Sequence, residues 1–213
     1  MKAFDLSLYL VLDPQLCAGI GMVETARRAV SGGATMVQLR DKEGGTARMI
    51  ETGRALKAAL AGTGARLIVN DDVAAAAEIG ADGIHVGQGD MSVAEARALV
   101  GPHAILGLSV ETPELAAAVD PALVDYVGAG PVFATPTKSD HERPVGFEGL
   151  AAQVAASPVP AVAIGGLKVE HVAQVFAAGA MGLAVVSAIC GRPDPEAAAR
   201  ALAEEIAGSR GRA

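Results

Sequence analysis

Residues 72–86 read DVAAAAEIGADGIHV, and this stretch contains one complete helix-to-strand unit. Asp72 is a favourable N-cap for a helix over Val73–Ile79, and Gly80 follows where a left-handed C-cap is needed. The run Gly83–Val86 is largely apolar without alternation, which is typical of a parallel strand that is buried on both faces. The stretch therefore predicts a short helix, a tight turn and a buried strand.

The same unit recurs along the chain, because Gly32-Gly33-Ala34 and Gly179-Ala180-Met181 repeat the turn at Gly80. Eight strands are predicted: Leu8–Leu12, Thr35–Arg40, Arg66–Asn70, Gly83–Val86, Ala104–Leu108, Leu123–Gly128, Ala161–Ile164 and Leu183–Val186. Eight helices alternate with them: Met22–Ser31, Thr46–Leu60, Val73–Ile79, Val93–Val100, Pro113–Val119, Phe147–Ala155, Val169–Ala177 and Pro195–Ala207. Further N-caps are expected at Ser92, Thr112 and Asp194.

Eight βα units in 213 residues favour an α/β protein with a closed (β/α)₈ barrel, the TIM barrel, which needs roughly 200 residues when its loops are short. A flavodoxin-like open sheet is the alternative. No linker or change of composition divides the chain, so residues 1–213 are expected to form a single domain.

Composition excludes several classes of partner. A net charge of −7, the absence of Trp and only 3% aromatic residues argue against a nucleic-acid surface. The apolar runs are too short for a transmembrane helix or a signal peptide, so no membrane partner is expected. Cys17 and Cys190 are too few for a disulfide framework, which together with the lack of a targeting segment indicates a cytoplasmic protein. Self-association into a homo-oligomer is left open.

Polar and charged side chains collect directly after the predicted strands, at the end of a barrel where active sites lie. Asp71 follows the third strand and Asp90 follows the fourth, so we expect their carboxylates to converge. Magnesium takes one or two protein carboxylates and completes its shell with water and phosphate oxygens. Arg40, Lys42 and Lys138 add positive charge on neighbouring loops. This pattern predicts a magnesium-diphosphate site.

Several nearby residues also have simpler structural interpretations. Asp72 is expected only to cap its helix, and Gln38 needs a hydrogen-bond partner inside the barrel. His85 is expected to be a core residue with satisfied hydrogen bonds rather than a base. Ser109 has no visible His–Asp partnership, so a hydrolase triad is not expected. Gly165-Gly166, after the seventh strand, is either a tight turn or a place where backbone N–H groups approach a phosphate.

At these positions the chain resembles the thiamine phosphate synthases over nearly its whole length. Each matching segment is weak by itself, but their order, each at a strand end, is specific. The segments are Gly33-Ala34-Thr35, Gln38–Lys42, Val69–Asp72, Asp82–Gln88 with Asp90, Gly107–Ser109, Gly128–Pro131, Thr135–Lys138, Ile164–Gly166 and Val186-Ser187.

The resemblance implies an enzyme that joins a hydroxymethylpyrimidine diphosphate to a thiazole phosphate and releases diphosphate. Small molecules would then be its partners and Mg²⁺ its cofactor, held by Asp71 and Asp90. The pyrimidine diphosphate would be bound by Gln38, Leu39, Arg40, Asp41, Lys42, Asn70, Ser109 and Lys138. The thiazole phosphate would be bound by Thr135, Pro136, Thr137, Gly166, Val186 and Ser187. The residues expected to act on the leaving diphosphate are Arg40, Lys42, Ser109 and Lys138.

Three other functions are weighed against this one. A thiazole tautomerase of the same superfamily needs an acid/base but no diphosphate site, and a non-catalytic thiamine-precursor binding protein needs no intact cation and carboxylate set. A Schiff-base role for Lys138 is disfavoured, because that lysine lies in a polar loop rather than in the barrel interior. The long segment Gly130–Gly146 is expected to be either a lid over the site or a variable surface loop.

Overall fold

The computed structural model describes residues 4–135 and 143–211 and shows a closed barrel of eight parallel strands in chain order, with the last strand paired to the first. The strands are β1 Leu8–Val11, β2 Met36–Leu39, β3 Arg66–Asn70, β4 Gly83–Val86, β5 Ile105–Val110, β6 Tyr126–Ala129, β7 Ala161–Ile164 and β8 Gly182–Val185. The helices are α1 Met22–Ser31, α2 Gly45–Leu60, α3 Val73–Ile79, α4 Val93–Val100, α5 Pro113–Ala117, α6 Gly146–Ala156, α7 Val172–Ala177 and α8 Pro195–Arg210. The predicted barrel is confirmed.

Local signals in the sequence account for most element boundaries. The side chain of each predicted N-cap accepts a hydrogen bond from the first turn of its helix, at Asp72, Ser92, Thr112 and Asp194. Gly80 adopts the left-handed conformation with φ 62° and ψ 43°. The predicted start of the sixth strand was wrong by three residues, because the Asp120 carboxylate accepts a hydrogen bond from the Ala122 N–H and holds residues 121–123 in a turn.

Side chains on successive strand residues alternate between two apolar regions. One region lies between the sheet and the helices. The other lies inside the barrel, where side chains from seven different strands pack together: Tyr9, Met36, Ile68, Ile105, Tyr126, Val162 and Ala184. The interior is therefore a packed core, and the end of the barrel where the strands terminate is left for a site.

None of the helices within residues 4–135 and 143–211 is long and apolar enough to cross a lipid bilayer.

Candidate functional site

A cavity opens at the carboxyl end of the barrel, and its wall draws on the ends of all eight strands and the loops that follow them. Eleven of the predicted site residues line it: Gln38, Arg40, Lys42, Asn70, Asp71, Asp90, Ser109, Thr135, Gly166, Val186 and Ser187. Predicted residues Pro136, Thr137 and Lys138, and the centre of the proposed lid, lie outside the described residues. The cavity also receives residues that sequence reasoning did not single out as site residues, namely Tyr9, Asp13 and Glu111.

The two carboxylates predicted to bind a metal face each other in this cavity. Asp71 has a positive φ of 62°, the only such value for a non-glycine residue in the described part of the chain. Asp tolerates this left-handed conformation better than most residues. The Asp71 N–H donates to the His85 carbonyl at 2.9 Å, and Asp90 Oδ2 accepts from the Gly87 N–H at 2.8 Å. The loop that carries Asp71 is thereby bonded to β4, and the loop that carries Asp90 is bonded to the residue that follows β4.

The Asp71 carboxyl group is affected both by the neighbouring Asp90 carboxylate and by two nearby positive charges. Burial and the neighbouring Asp90 carboxylate raise the pKa of Asp71 from 3.8 to about 6, whereas the charges of Lys42 and Arg40 oppose that rise. Two carboxylates this close are stable only with a shared proton or a bound cation. No group of three or more His, Cys, Asp or Glu side chains that could hold a metal occurs among the described residues. A two-carboxylate site fits a magnesium ion that keeps water and phosphate ligands.

The loop after β2 presents two cations to the cavity and is braced by the residue between them. Arg40 and Lys42 line the cavity, whereas Asp41 is only 5% exposed. Asp41 Oδ1 accepts hydrogen bonds from the N–H groups of Gly44, at 2.9 Å, and Glu43, at 3.2 Å. Asp41 therefore holds the shape of this loop. The Leu39 side chain is fully buried in the apolar region between sheet and helices, so the expected ligand contacts of Leu39 and Asp41 stay predictions.

Asp72, next to the candidate metal ligand, serves its helix. Its Oδ1 accepts from the Ala75 N–H at 2.8 Å, which confirms the expected N-cap of α3.

Replacing Asp72 with alanine is expected to lower the free energy of unfolding by about 1 kcal/mol, the usual cost of an N-cap. Because Asp72 does not line the cavity, the substitution is expected to leave magnesium binding close to that of the unsubstituted protein. Urea unfolding and a magnesium-binding titration measure the two effects. Loss of magnesium binding in this variant would show that Asp72 itself is a metal ligand.

The opposite side of the cavity is formed by the loops after β7 and β8. Gly165 and Gly166 both have positive φ, 106° and 64°. A Cβ on Gly165 would lie 2.8 Å from Pro131 Cα, so the close approach of the two backbones excludes any side chain there. Val186 and Ser187 line the same side. In (β/α)₈ barrels the loops after the seventh and eighth strands are where phosphate groups bind.

Ser109 has a histidine partner that the sequence did not indicate. Ser109 Oγ lies 3.0 Å from His85 Nε2, and His85 Nδ1 lies 3.0 Å from Tyr126 Oη. The two residues are 24 positions apart, and only the pairing of β4 with β5 brings them together. A tyrosine hydroxyl stands where a triad would have a carboxylate, so the group is not a hydrolase triad. His85 is buried and hydrogen-bonded, as expected, but it also lines the cavity.

The fold and the site together define a (β/α)₈-barrel protein with a cavity at the carboxyl end of its strands that is lined by charged and polar side chains. A family model described as thiamine monophosphate synthase matches residues 8–189. The chain is 52% identical to a thiamine-phosphate synthase of Xanthobacter autotrophicus over 98% of its length and 99% of that protein. It is 50% identical to the thiamine-phosphate synthase of Azorhizobium caulinodans, covering 97% of this chain and 98% of that one. The chain therefore belongs to the thiamine monophosphate synthase family of enzymes.

A solved structure supports the same assignment. The thiamine phosphate pyrophosphorylase from Pyrococcus furiosus superposes with a TM-score of 0.87 at 35% sequence identity, covering 96% of both chains.

Proposed function

We propose that this chain condenses 4-amino-2-methyl-5-(diphosphooxymethyl)pyrimidine with thiazole phosphate to give thiamine phosphate and diphosphate. The observation that carries the proposal is a single cavity whose two sides carry different groups suited to anions. One side holds the facing carboxylates Asp71 and Asp90 with the cations Arg40 and Lys42. The other side holds the glycine-rich loop at Gly166 and the end of β8. A diphosphate and a monophosphate could therefore be bound at the same time, with their reacting ends between them.

The carboxylate side fits the leaving group. Asp71 and Asp90 would hold a magnesium ion, which when bound neutralises charge on the departing diphosphate. Arg40 and Lys42 would grip the remaining phosphate oxygens, the arginine through its fork of donors and the lysine as a point charge. No carboxylate lies within ion-pair distance of either cation in the described part of the chain, so both are available to a ligand.

The proposed reaction needs no covalent bond between the protein and a substrate. Departure of the diphosphate leaves a pyrimidine-methyl cation, and the thiazole nitrogen supplies the electron pair that forms the new C–N bond. This step needs no protein nucleophile, and catalysis consists of positioning and of stabilising the leaving charge. Apolar side chains such as Val162 and Ile164 also line the cavity, and they would offer no hydrogen bonds to water that could trap the cation.

The test is to incubate the protein with both substrates and magnesium and to measure thiamine phosphate and diphosphate separately. We expect the two products in equal amounts, and neither when the thiazole phosphate or the magnesium is omitted. Isomerisation of the thiazole without diphosphate release would instead show a tautomerase. Tight binding of the pyrimidine diphosphate without turnover would show a binding protein.

A further inference from the structure

A continuous chain of hydrogen bonds crosses the barrel interior and ends at the cavity at both ends. Gln38 Nε2 donates to Tyr9 Oη at 2.9 Å, and Tyr9 Oη lies 2.9 Å from Tyr126 Oη. Tyr126 Oη lies 3.0 Å from His85 Nδ1, and His85 Nε2 lies 3.0 Å from Ser109 Oγ. Gln38 and Ser109, the two ends, both line the cavity, whereas the Tyr126 side chain is fully buried beneath it.

Two glycines make room for the middle of this chain. A Cβ on Gly107 would overlap the Tyr126 ring and His85 Nδ1, and a Cβ on Gly128 would lie 3.3 Å from His85 Cε1. Both glycines lie within strands, β5 and β6, where glycine is otherwise unfavourable. The barrel therefore has no side chain at two interior strand positions, and the His85–Tyr126 pair occupies the space left there.

The hydrogen bonds of this chain must all run in one direction, because the group at its start, the Gln38 amide nitrogen, is a donor and cannot accept. The Gln38 amide nitrogen carries no acceptor, so Tyr9 Oη accepts from it. Burial raises the pKa of both tyrosines, and each keeps its one proton. Tyr9 must then donate to Tyr126, and Tyr126 to His85 Nδ1. His85 consequently carries its proton on Nε2 and donates it to Ser109 Oγ.

The opposite direction is unfavourable. If Ser109 donated to His85 and His85 to Tyr126, Tyr126 would donate to Tyr9, and the Tyr9 proton would face a donor. Tyr9 is 1% exposed, and the described residues include no other hydrogen-bond partner for its hydroxyl. A buried hydroxyl proton without an acceptor is costly. Only one proton arrangement satisfies every hydroxyl.

We propose that this chain of hydrogen bonds has a positioning role: it fixes His85 as the neutral Nε2–H tautomer and leaves the single Ser109 proton for the ligand in the cavity. Ser109 then acts as an obligatory donor toward the pyrimidine diphosphate, and it cannot turn its proton to the histidine. The identity of that ligand rests on the proposed function, whereas the proton arrangement does not.

The direct measurement is ¹⁵N NMR of the protein labelled at histidine, without ligand and near pH 7.5. The His85 signals are identified as those that disappear in His85→Asn. We expect the nitrogen shifts of a neutral imidazole with its proton on Nε2. A proton on Nδ1, or on both nitrogens, would overturn the proposal. This result is independent of any activity, so it stands or falls separately from the proposed function.

A substitution that should reverse the donors and acceptors of the hydrogen-bond chain tests its direction. Gln38→Glu replaces the donor with a carboxylate that only accepts when ionised. Tyr9 should then donate to the new side chain, and the His85 proton should move from Nε2 to Nδ1. Adding Tyr9→Phe interrupts the chain, so the double variant should return the proton to Nε2. An unchanged His85 tautomer in Gln38→Glu would contradict the directional chain, and the unsubstituted protein still decides if this variant does not fold.

A double-mutant cycle tests the consequence for Ser109. Tyr126→Phe is expected to lower kcat/KM for the pyrimidine diphosphate by about tenfold, as for one weakened hydrogen bond to a charged ligand. In a Ser109→Ala background the same change should have little further effect, and KM for the thiazole phosphate should not move in either. Equal losses in both backgrounds would show that Tyr126 acts on stability alone. A protein that forms no thiamine phosphate at all would refute the proposed function but leave the NMR result intact.

Discussion

Asp71→Asn is expected to lower kcat/KM for thiamine phosphate formation by about a thousandfold, the scale on which removing a principal electrostatic contact acts. The asparagine keeps the size and one oxygen of the side chain but removes the charge that a magnesium ion needs. Asp90→Asn should act in the same direction, because the two carboxylates face each other in the cavity. Raising magnesium tenfold should recover part of the loss if the weakened step is metal binding.

The same substitution is expected to make the metal-free protein more stable above pH 6. Burial and Asp90 raise the pKa of Asp71 to about 6, so the folded state holds a proton that the unfolded state, at 3.8, has already released. This group therefore destabilises the fold fully above pH 6, and the effect disappears as the pH falls below 4. Because the side chain is partly exposed, the gain at pH 7.5 is about 1 kcal/mol rather than the full linkage value.

Thermal unfolding in a chelator, with and without added magnesium, measures this pair of effects. Magnesium should raise the Tm of the unsubstituted protein and leave that of Asp71→Asn nearly unchanged. The Tm difference between the two metal-free proteins should shrink from pH 7 to pH 4. Asp72→Ala is the matched control, since it loses stability and keeps the magnesium shift. An inactive Asp71→Asn that also has a lower Tm in chelator would indicate damage to the fold instead of a lost metal ligand.

The barrel could be predicted from local signals because those signals are themselves local interactions. The N-caps at Asp72, Ser92, Thr112 and Asp194 act within one helical turn, and the turn at Gly80 needs only its own left-handed backbone. Unbroken apolar runs reflect strands that are buried on both faces. The predicted start of β6 was wrong because the N–H groups of Ala122, Leu123 and Val124 all donate to Asp120 and close a turn there, which the apolar Leu123 and Val124 do not indicate.

Much of the site was predictable for a related reason. The end of a parallel strand gathers the residues that follow it, so Arg40, Asp71 and Asp90 could be placed together before any distance was known. The chain from Gln38 to Ser109 could not be predicted, because it depends on which strand residues point inward and on contacts across the barrel. Tyr9 and Tyr126 are 117 residues apart in sequence, and nothing near either of them indicates the other.

Arg40→Ala is expected to lower kcat/KM for the pyrimidine diphosphate by about a hundredfold, as for the loss of one charged contact to a leaving group. Arg40 lies on the braced loop after β2, and its charge reaches Asp71, where it opposes the rise of that carboxyl's pKa. A cation that lines the cavity and acts on Asp71 is placed to contact the leaving diphosphate. KM for the thiazole phosphate should stay unchanged, because its proposed site is on the other side of the cavity.

Arg40→Lys separates charge from geometry. A lysine retains the positive charge but not the planar fork that binds two phosphate oxygens, so it should recover only part of the lost activity. Arg54→Ala is the control for general loss of positive charge: Arg54 pairs with Glu78 at the surface, is 60% exposed and does not line the cavity. Steady-state kinetics with each substrate varied in turn measures these effects. If Arg40→Ala and Arg54→Ala lowered kcat/KM equally, net charge would explain the result and the contact between Arg40 and diphosphate would be refuted.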